Sequence, residues 1–498
     1  MKRTPGLILL LTLTAATAMA QVDRNRVERD FRVEKKSLGE CGKFTFGGLE
    51  SCGQTLVMGQ PIHMAFGSLA PQNGTGFGLA FVEHKDFISE WRDGFNFDAV
   101  ASLNGSWRAG GYIKAYKLAG KTPHEEFPGA KGSTHKTGPF FNTAPLFGFY
   151  SQSISLNRVD YFGLGPDSTP LDHTTYGFSE NITGMDGVIP LSGSMAPAKL
   201  ALVGELNGRF PSVRGGSESS IPSIGELFNE ATAPGLTHQA AYFEPAAGIR
   251  INPALFKDHI RLNYLLQFQQ FIAPGNSSYS FRRWNGDFSH EIPLRSILPK
   301  QVGAHYYGGR ASLYAHNGPD DCTGSSSNIA PAKAAAAAAK ADPARPCPII
   351  STTEKLEGSI TLRAFISESF AGRGSLVPFY FSPTIGGSDI NGTAMLASYP
   401  DYRFRGPDLL LFRGTLEHSL GKLPVGLLFS ADEGKIGVRR DDVSIDHLRH
   451  TFTAGATIHA GGLPVIYLLF AWGGKEGTHA TANVSPSLLG GGSRPSLF

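Results

Sequence analysis

After its first twenty residues the chain has no uncharged apolar run approaching the roughly 20 consecutive residues that a membrane-spanning helix needs, so a helical membrane protein is excluded. Charge is also scarce. Asp, Glu, Lys and Arg make up 17% of the chain and the formal net charge is only +3, which gives no basic surface for nucleic acid. The four cysteines, Cys41, Cys52, Cys322 and Cys347, lack the two-to-four-residue spacing of zinc ligands, and no metal site is implied. There is no Gly-x-Ser-x-Gly elbow. Gly163-Leu-Gly165 and Gly74-Thr-Gly-Phe-Gly78 lack the third glycine and the strand-to-helix setting of a phosphate loop, so no cofactor is implied either. His447, His450 and His459, with Asp441, Asp442 and Asp446, cluster around a polar turn between strands. They read as solubility residues, and the chain is not read as an enzyme.

What is present begins with an export signal. Lys2 and Arg3 precede an apolar core, Leu7 to Leu13, and Ala18-Met19-Ala20 forms a small-x-small cleavage site before Gln21, so residues 1–20 read as a secretory signal peptide. The apolar core is too short for a membrane anchor. In the oxidising compartment beyond, two local disulfides, Cys41 with Cys52 and Cys322 with Cys347, are the simplest of three connectivities. Glycine (61) and phenylalanine (34) are abundant, and the mean hydropathy of −0.11 suits strands that are half polar.

The apolar residues alternate. Leu410, Phe412, Gly414 and Leu416 oppose Arg413, Thr415 and Glu417; Phe95, Phe97, Ala99 and Ala101 oppose Asn96, Asp98 and Ser102. Leu200, Leu202, Gly204, Leu206 and Phe210 oppose Lys199, Glu205, Asn207 and Arg209, and Leu262, Tyr264, Leu266 and Phe268 oppose Arg261, Asn263, Gln267 and Gln269. A strand with lipid on one side and water on the other has this period of two, and only a closed barrel carries it through a bilayer with every backbone group paired. A soluble β-sandwich alternates too. The export signal, the aromatic-rich apolar series and the terminal Phe498 favour the barrel. Counting segments from Gly76 to Leu489 predicts 14–16 strands, with an even number near 16 fitting best. On this reading residues 21–70 are a short periplasmic lead-in and 71–498 an outer-membrane barrel, interrupted by an insert at 317–355 with an Ala-rich run. That run forms a helical turn or two, or is tolerated low complexity. Val203 and Gln267 are expected on the wet face. Trp107, Tyr467, Trp472 and Phe498 are expected in aromatic girdles. Ser223-Ile-Gly-Glu226 has the pattern of a capping box opening a short helix through Glu230.

Five stretches resemble the barrel of the bacterial surface antigen family, the superfamily of the BamA and TamA outer-membrane assembly factors. They are Tyr161-Phe-Gly-Leu-Gly-Pro-Asp-Ser168, Pro222-Ser-Ile-Gly-Glu-Leu-Phe228, Pro378-Phe-Tyr-Phe-Ser-Pro-Thr-Ile-Gly-Gly387, Tyr402-Arg-Phe-Arg405 and Leu428-Phe-Ser-Ala-Asp-Glu-Gly-Lys435, in family order. The resemblance implies an all-β, transmembrane antiparallel barrel of about 16 strands in the bacterial outer membrane, with one loop folded back into the lumen. It implies that this loop follows Gly386 and Gly387, and that an arginine at its tip docks near the wall motif formed by Phe429, Asp432, Glu433 and Gly434.

The tip departs from the family. Its equivalent is Leu396-Ala-Ser-Tyr399, with Ala397 where the arginine is expected and Ser398 where a glycine is expected. A planar five-donor cation is therefore missing from the tip. Arg403 and Arg405 are the expected substitutes, with Asp432 and Glu433 as counter-charges. The lead-in is too short for the family's periplasmic transport-associated repeats or for a patatin-like domain. The implied partners are outer-membrane lipid, with unfolded outer-membrane proteins or periplasmic factors acting in trans. The implied function is insertion or translocation of proteins at the outer membrane; the alternative is a passive pore or structural barrel without that activity.

Overall fold

The computed structural model describes residues 62–88, 91–117, 145–191, 200–255, 259–295, 304–305, 349–350, 356–420, 425–460 and 463–484, together with Lys35 and Gly39. The signal peptide, all four cysteines and Phe498 lie outside the described residues, as does most of the 317–355 insert.

One antiparallel sheet forms the wall. Its strands are β1 (Ile62–Ser68), β2 (Thr75–Ile88), β3 (Trp91–Ser102), β4 (Trp107–Lys117), β5 (Leu146–Tyr161), β6 (Thr174–Pro190), β7 (Leu200–Gly215) and β8 (Tyr242–Ile251). There follow β9 (Ile260–Phe271), β10 (Phe281–Arg295), β11 (Leu356–Ala371), β12 (Asp408–Ser419), β13 (Val425–Gly437), β14 (Arg449–Ala460), β15 (Leu463–Gly474) and β16 (Gly477–Val484). The segment Ala254–Leu255 continues β8 along the same neighbour, so the 17 segments of the sheet make 16 wall strands. Each strand pairs with the next in sequence. The two ends of the sheet, β1 and β16, come within 8 Å between Cα atoms and close the barrel. No helix among the described residues is long and apolar enough to cross a membrane; the crossing is made by strands.

The wall starts earlier than expected. Ile62–Ser68 pairs with Phe81–Thr75 of β2, so the last residues assigned to the lead-in are wall. Their alternation, Ile-His-Met-Ala-Phe-Gly-Ser, spans only 7 residues and gives little period to read. Because strand direction alternates, β1 and β11 run the same way. The long connection from β10 to β11, which contains the insert, therefore leaves from the rim at which β1 begins, and the connection from β11 to β12 caps the opposite rim. We call these the lower and upper rims.

Parity decides which side each residue faces. Leu202 and Leu266 are 42% and 48% exposed on the outer surface, whereas Gln267 is 8% exposed and points inward. An outer surface of this kind, ringed by Phe147, Met185, Phe243, Trp284, Phe412, Phe429 and Phe470, is what a bilayer covers. Trp107 and Trp472 face outward as girdle residues, and Trp472 packs against Phe452 and Phe470. Tyr467 does not. It lies opposite Thr457, which is fully buried inside, so its ring faces the lumen. Leu202→Arg and Leu266→Arg are each expected to cost about 2–4 kcal/mol near the midplane, with Gln267→Arg better tolerated, as measured by unfolding in detergent micelles. Equal losses at Leu266 and Gln267 would reject this register. Val203, although inward, is not a tolerant position. It packs with Leu146, Val188 and Ala201 in an apolar patch of the inner wall, so the expectation of a uniformly wet face fails there.

Candidate functional site

The upper half of the lumen is filled by the 372–407 connection, which turns into the barrel. Its first anchor is aromatic. Phe379–Phe381 forms one 3-10 turn with all three side chains buried. Phe379 meets Tyr161 and Tyr176 with ring centroids 5.1 Å apart, and Phe381 meets Tyr242 at 5.0 Å and Phe271 at 5.3 Å. These partners are inward residues of β5, β6, β8 and β9, so one tripeptide ties together four strands. The Phe379 N–H donates to the Pro234 carbonyl at 2.9 Å, which adds the β7–β8 connection to the plug.

That connection contains the predicted capping box. The helix α1 (Ile224–Leu227) is shorter than expected and ends before Glu230, but the Ser223 N–H donates to the Glu226 carboxylate at 2.8 Å as the pattern requires. Glu230 instead ties the upper loops together. It accepts from the Thr237 N–H and hydroxyl at 2.9 and 2.6 Å and from the Tyr279 hydroxyl at 2.5 Å. Burial pushes its carboxyl up, and these donors outweigh burial and hold it below the ordinary value.

The second anchor is a ribbon, Thr384–Ile385 paired with Phe404–Arg405, which returns the loop on itself. Gly386 and Gly387 follow with φ of 102° and 59°. A Cβ on either would lie 2.5 Å from Arg403 Cβ or from Asp401 Cα, so only glycine lets the outgoing and returning segments touch. From there the chain reaches the tip. Leu396, at φ 53°, donates its N–H to Asp432 Oδ2 at 2.9 Å, and the Ser398 hydroxyl meets the Thr451 hydroxyl at 2.6 Å. Tyr399 stacks edge-on against Phe404.

The cation at Asp432 is neither Arg403 nor Arg405. It is Arg413, which lies directly opposite Asp432 in the β12–β13 register. Its Nε and Nη2 donate to the two carboxylate oxygens at 2.7 Å each, and Nη2 also donates to the Ala394 carbonyl of the loop. The wall thus carries the charge that the tip lacks, and Asp432 holds both Arg413 and the Leu396 amide. Glu433 is excluded as a counter-charge by alternation: with Asp432 inward, Glu433 and Phe429 face outward. Gly434 is inward and close to Ile385 of the ribbon.

Arg403 and Arg405 hold other parts of the plug. Arg405 donates to the Phe379 carbonyl at 3.0 Å and lies about 6 Å from the Tyr161, Tyr176 and Phe379 ring centroids, a cation enclosed by aromatic faces. Arg403 donates to Glu476 at 2.7 Å and to the Ser168 hydroxyl and carbonyl at 2.8 and 2.6 Å. The Gly165 N–H donates to the Arg405 carbonyl at 2.7 Å, and Phe228 packs edge-on against Tyr161. The five stretches singled out in the sequence therefore converge on one place, the docked loop and its socket. Below the plug sits a charged layer that the sequence reading missed as a site. Arg209 bridges Glu180 at 2.9 Å and Glu244 at 3.0 Å, beneath the Phe381 ring.

No family model matches the chain, and no curated protein matches it. Among solved structures it is similar to CdiB from Acinetobacter baumannii, at 10% identity and a TM-score of 0.44, covering 85% of this chain and 60% of that one. It is also similar to BamA from Haemophilus ducreyi lacking POTRA domains 1–3, at 10% identity and a TM-score of 0.41, over 86% of this chain and 69% of that one. CdiB from Escherichia coli gives 10% identity and a TM-score of 0.41, over 82% and 58%. The chain spans about 60% of the length of either CdiB. The architecture described here rests on its own strand pairing.

Proposed function

We propose that this chain is a bacterial outer-membrane barrel that inserts or passes polypeptides at the membrane, with its periplasmic partners and its clients supplied in trans. The observation that carries this reading is the occupied lumen. A solute pore needs an open path, whereas here Phe379, Tyr380, Phe381 and Tyr402 are buried in the barrel and tied to several strands. A wall assembled around a docked loop suits work at the wall rather than conduction through the centre. The same socket resembles that of the assembly factors, with the docking arginine moved from the tip to the wall.

The test is depletion of the protein followed by a survey of outer-membrane content. Selective loss of particular barrel or secreted proteins is the expected outcome. Normal membrane content with altered small-solute permeability would instead support the passive barrel.

A further inference from the structure

One sector of the outer wall is polar at membrane depth. On β5 the outward series runs Phe147, Phe149, Ser151, Ser153 and Ser155, between the inward Tyr150, Gln152 and Ile154, and it pairs with the outward Asn181 and Thr183 of β6. The Ser151 and Thr183 hydroxyls meet at 2.9 Å, and the Ser153 hydroxyl donates to Asn181 Oδ1 at 2.5 Å. Ala109 and Gly111 of β4 flank this ladder on one side and Gly208 of β7 on the other. Aromatic residues bracket its depth. Trp107 stands beside Ser155 toward the upper rim, and Phe147, stacked on Trp91, lies toward the lower one, so Ser151 and Ser153 face the hydrocarbon layer. The far wall differs. Its outward residues include Leu362, Phe412, Leu416, Leu427 and Leu468, and among the described residues β11 to β15 turn no hydroxyl or amide side chain outward.

We propose that this sector is the contact face between two copies of the chain, related by a two-fold axis along the membrane normal. Asn181 receives the Ser153 hydroxyl on Oδ1, which leaves its two amide N–H donors to offer. Acyl chains cannot accept from them, so the covering surface must carry oxygen atoms at the same depth. A second copy does so by symmetry: the two-fold sets the same hydroxyls and the same Asn181 opposite one another, with both upper rims on one side of the membrane. The size also fits. Four strands at a spacing of about 4.8 Å across a band about 25 Å tall give roughly 500 Å² per copy and about 1,000 Å² in all, where specific interfaces begin. The small side chains of Ala109, Gly111 and Gly208 let the two walls approach, and Phe149, Met185 and Phe210 supply an apolar margin. Charge agrees. Above the ladder, Arg214 and Glu218 are both exposed on one stretch of the rim, a cation and an anion that a two-fold axis pairs crosswise. The inference goes beyond the insertion role and does not depend on it.

Sedimentation equilibrium of the full chain in density-matched micelles, repeated as energy transfer between labelled copies in proteoliposomes, reads the association. Wild type is expected to dimerise reversibly. Thr183→Val removes a hydroxyl with little change of shape and should weaken the dimer about tenfold, because a two-fold interface loses each group twice. Ser153→Leu should abolish the dimer by holding the walls apart, whereas Leu427→Ala on the far wall should leave it unchanged. Heat-modifiable gel migration checks that each variant is folded. A wild-type monomer in both media overturns the proposal, as does a dimer that Thr183→Val and Ser153→Leu leave intact or that Leu427→Ala weakens equally. A monomer that retains a lipid lost on Ser153→Leu overturns it too, and assigns the ladder to bound lipid.

Discussion

Asp432→Ala is expected to lower barrel stability by about 3–5 kcal/mol, because it leaves the Arg413 guanidinium without its carboxylate inside the lumen. Three contacts disappear together: two Arg413 hydrogen bonds of 2.7 Å and the Leu396 amide at 2.9 Å. Arg413→Ala removes two of these and the hold on Ala394, and strands the carboxylate instead. In a double-mutant cycle of thermal unfolding in micelles, the pair should therefore show a coupling of about 1–3 kcal/mol. The same cycle run with Arg403→Ala or Arg405→Ala against Asp432→Ala should be close to additive, since neither side chain touches Asp432. Coupling of Asp432 to Arg403 or Arg405 but not to Arg413 would mean that the loop docks differently in solution. Asp432→Asn keeps an oxygen for Leu396 but loses the charge, so it separates the loop's share of the loss from the ion pair's.

Much of this barrel was legible in the sequence because a period of two survives anything that happens to individual contacts. The opposition of Leu266 and Gln267, or of Phe412 and Arg413, assigns faces without knowledge of partners, and counting such segments leads to 16 strands. Register is another matter. Arg413 was visible as a wet-face residue and Asp432 as a wall acid, but that they stand opposite each other depends on the length of the β12–β13 turn and the shear of the sheet. A charge close in sequence to the loop tip, such as Arg403 or Arg405, then looks like the partner, although Arg413 is the closer of the three to Asp432 along the chain. Alternation itself rules out Glu433 once Asp432 is known to face inward. Tyr467 shows the same rule from the other side: it has the opposite parity to Trp472, so the two cannot both face lipid, and with Trp472 outward Tyr467 turns inward beside Thr457. The Gly386-Gly387 pair was recognised as a landmark, and its physical role, the contact of the outgoing and returning segments, needed the fold.

The charged layer beneath the plug was invisible for the same reason, since Glu180, Arg209 and Glu244 lie on three different strands. They face one another because the β6–β7 and β7–β8 registers set them at similar heights. A loop plugged with aromatics needs a floor, and here the floor is an arginine whose guanidinium lies 5.3 Å from the Phe381 ring centroid.

Arg209→Met should accordingly be among the most damaging single changes in the inner wall. Arg209 is 1% exposed, and its removal leaves Glu180 and Glu244 facing one another across a site with little water. Gln269 at 2.8 Å and Asn207 at 3.4 Å still donate to Glu244, so that carboxylate keeps some support; among the described residues Glu180 accepts side-chain hydrogen bonds from Arg209 alone. Breaking a buried pair by removing one partner costs about 3–5 kcal/mol, more than the pair itself contributes, since the cost is that of the stranded charges. The triple change Arg209→Met, Glu180→Gln and Glu244→Gln removes the stranded charges along with the cation, and so should recover most of the loss in thermal unfolding. If the triple variant is instead no more stable than Arg209→Met, the arginine acts mainly by packing under Phe381, and the plug is held from below by shape rather than by charge.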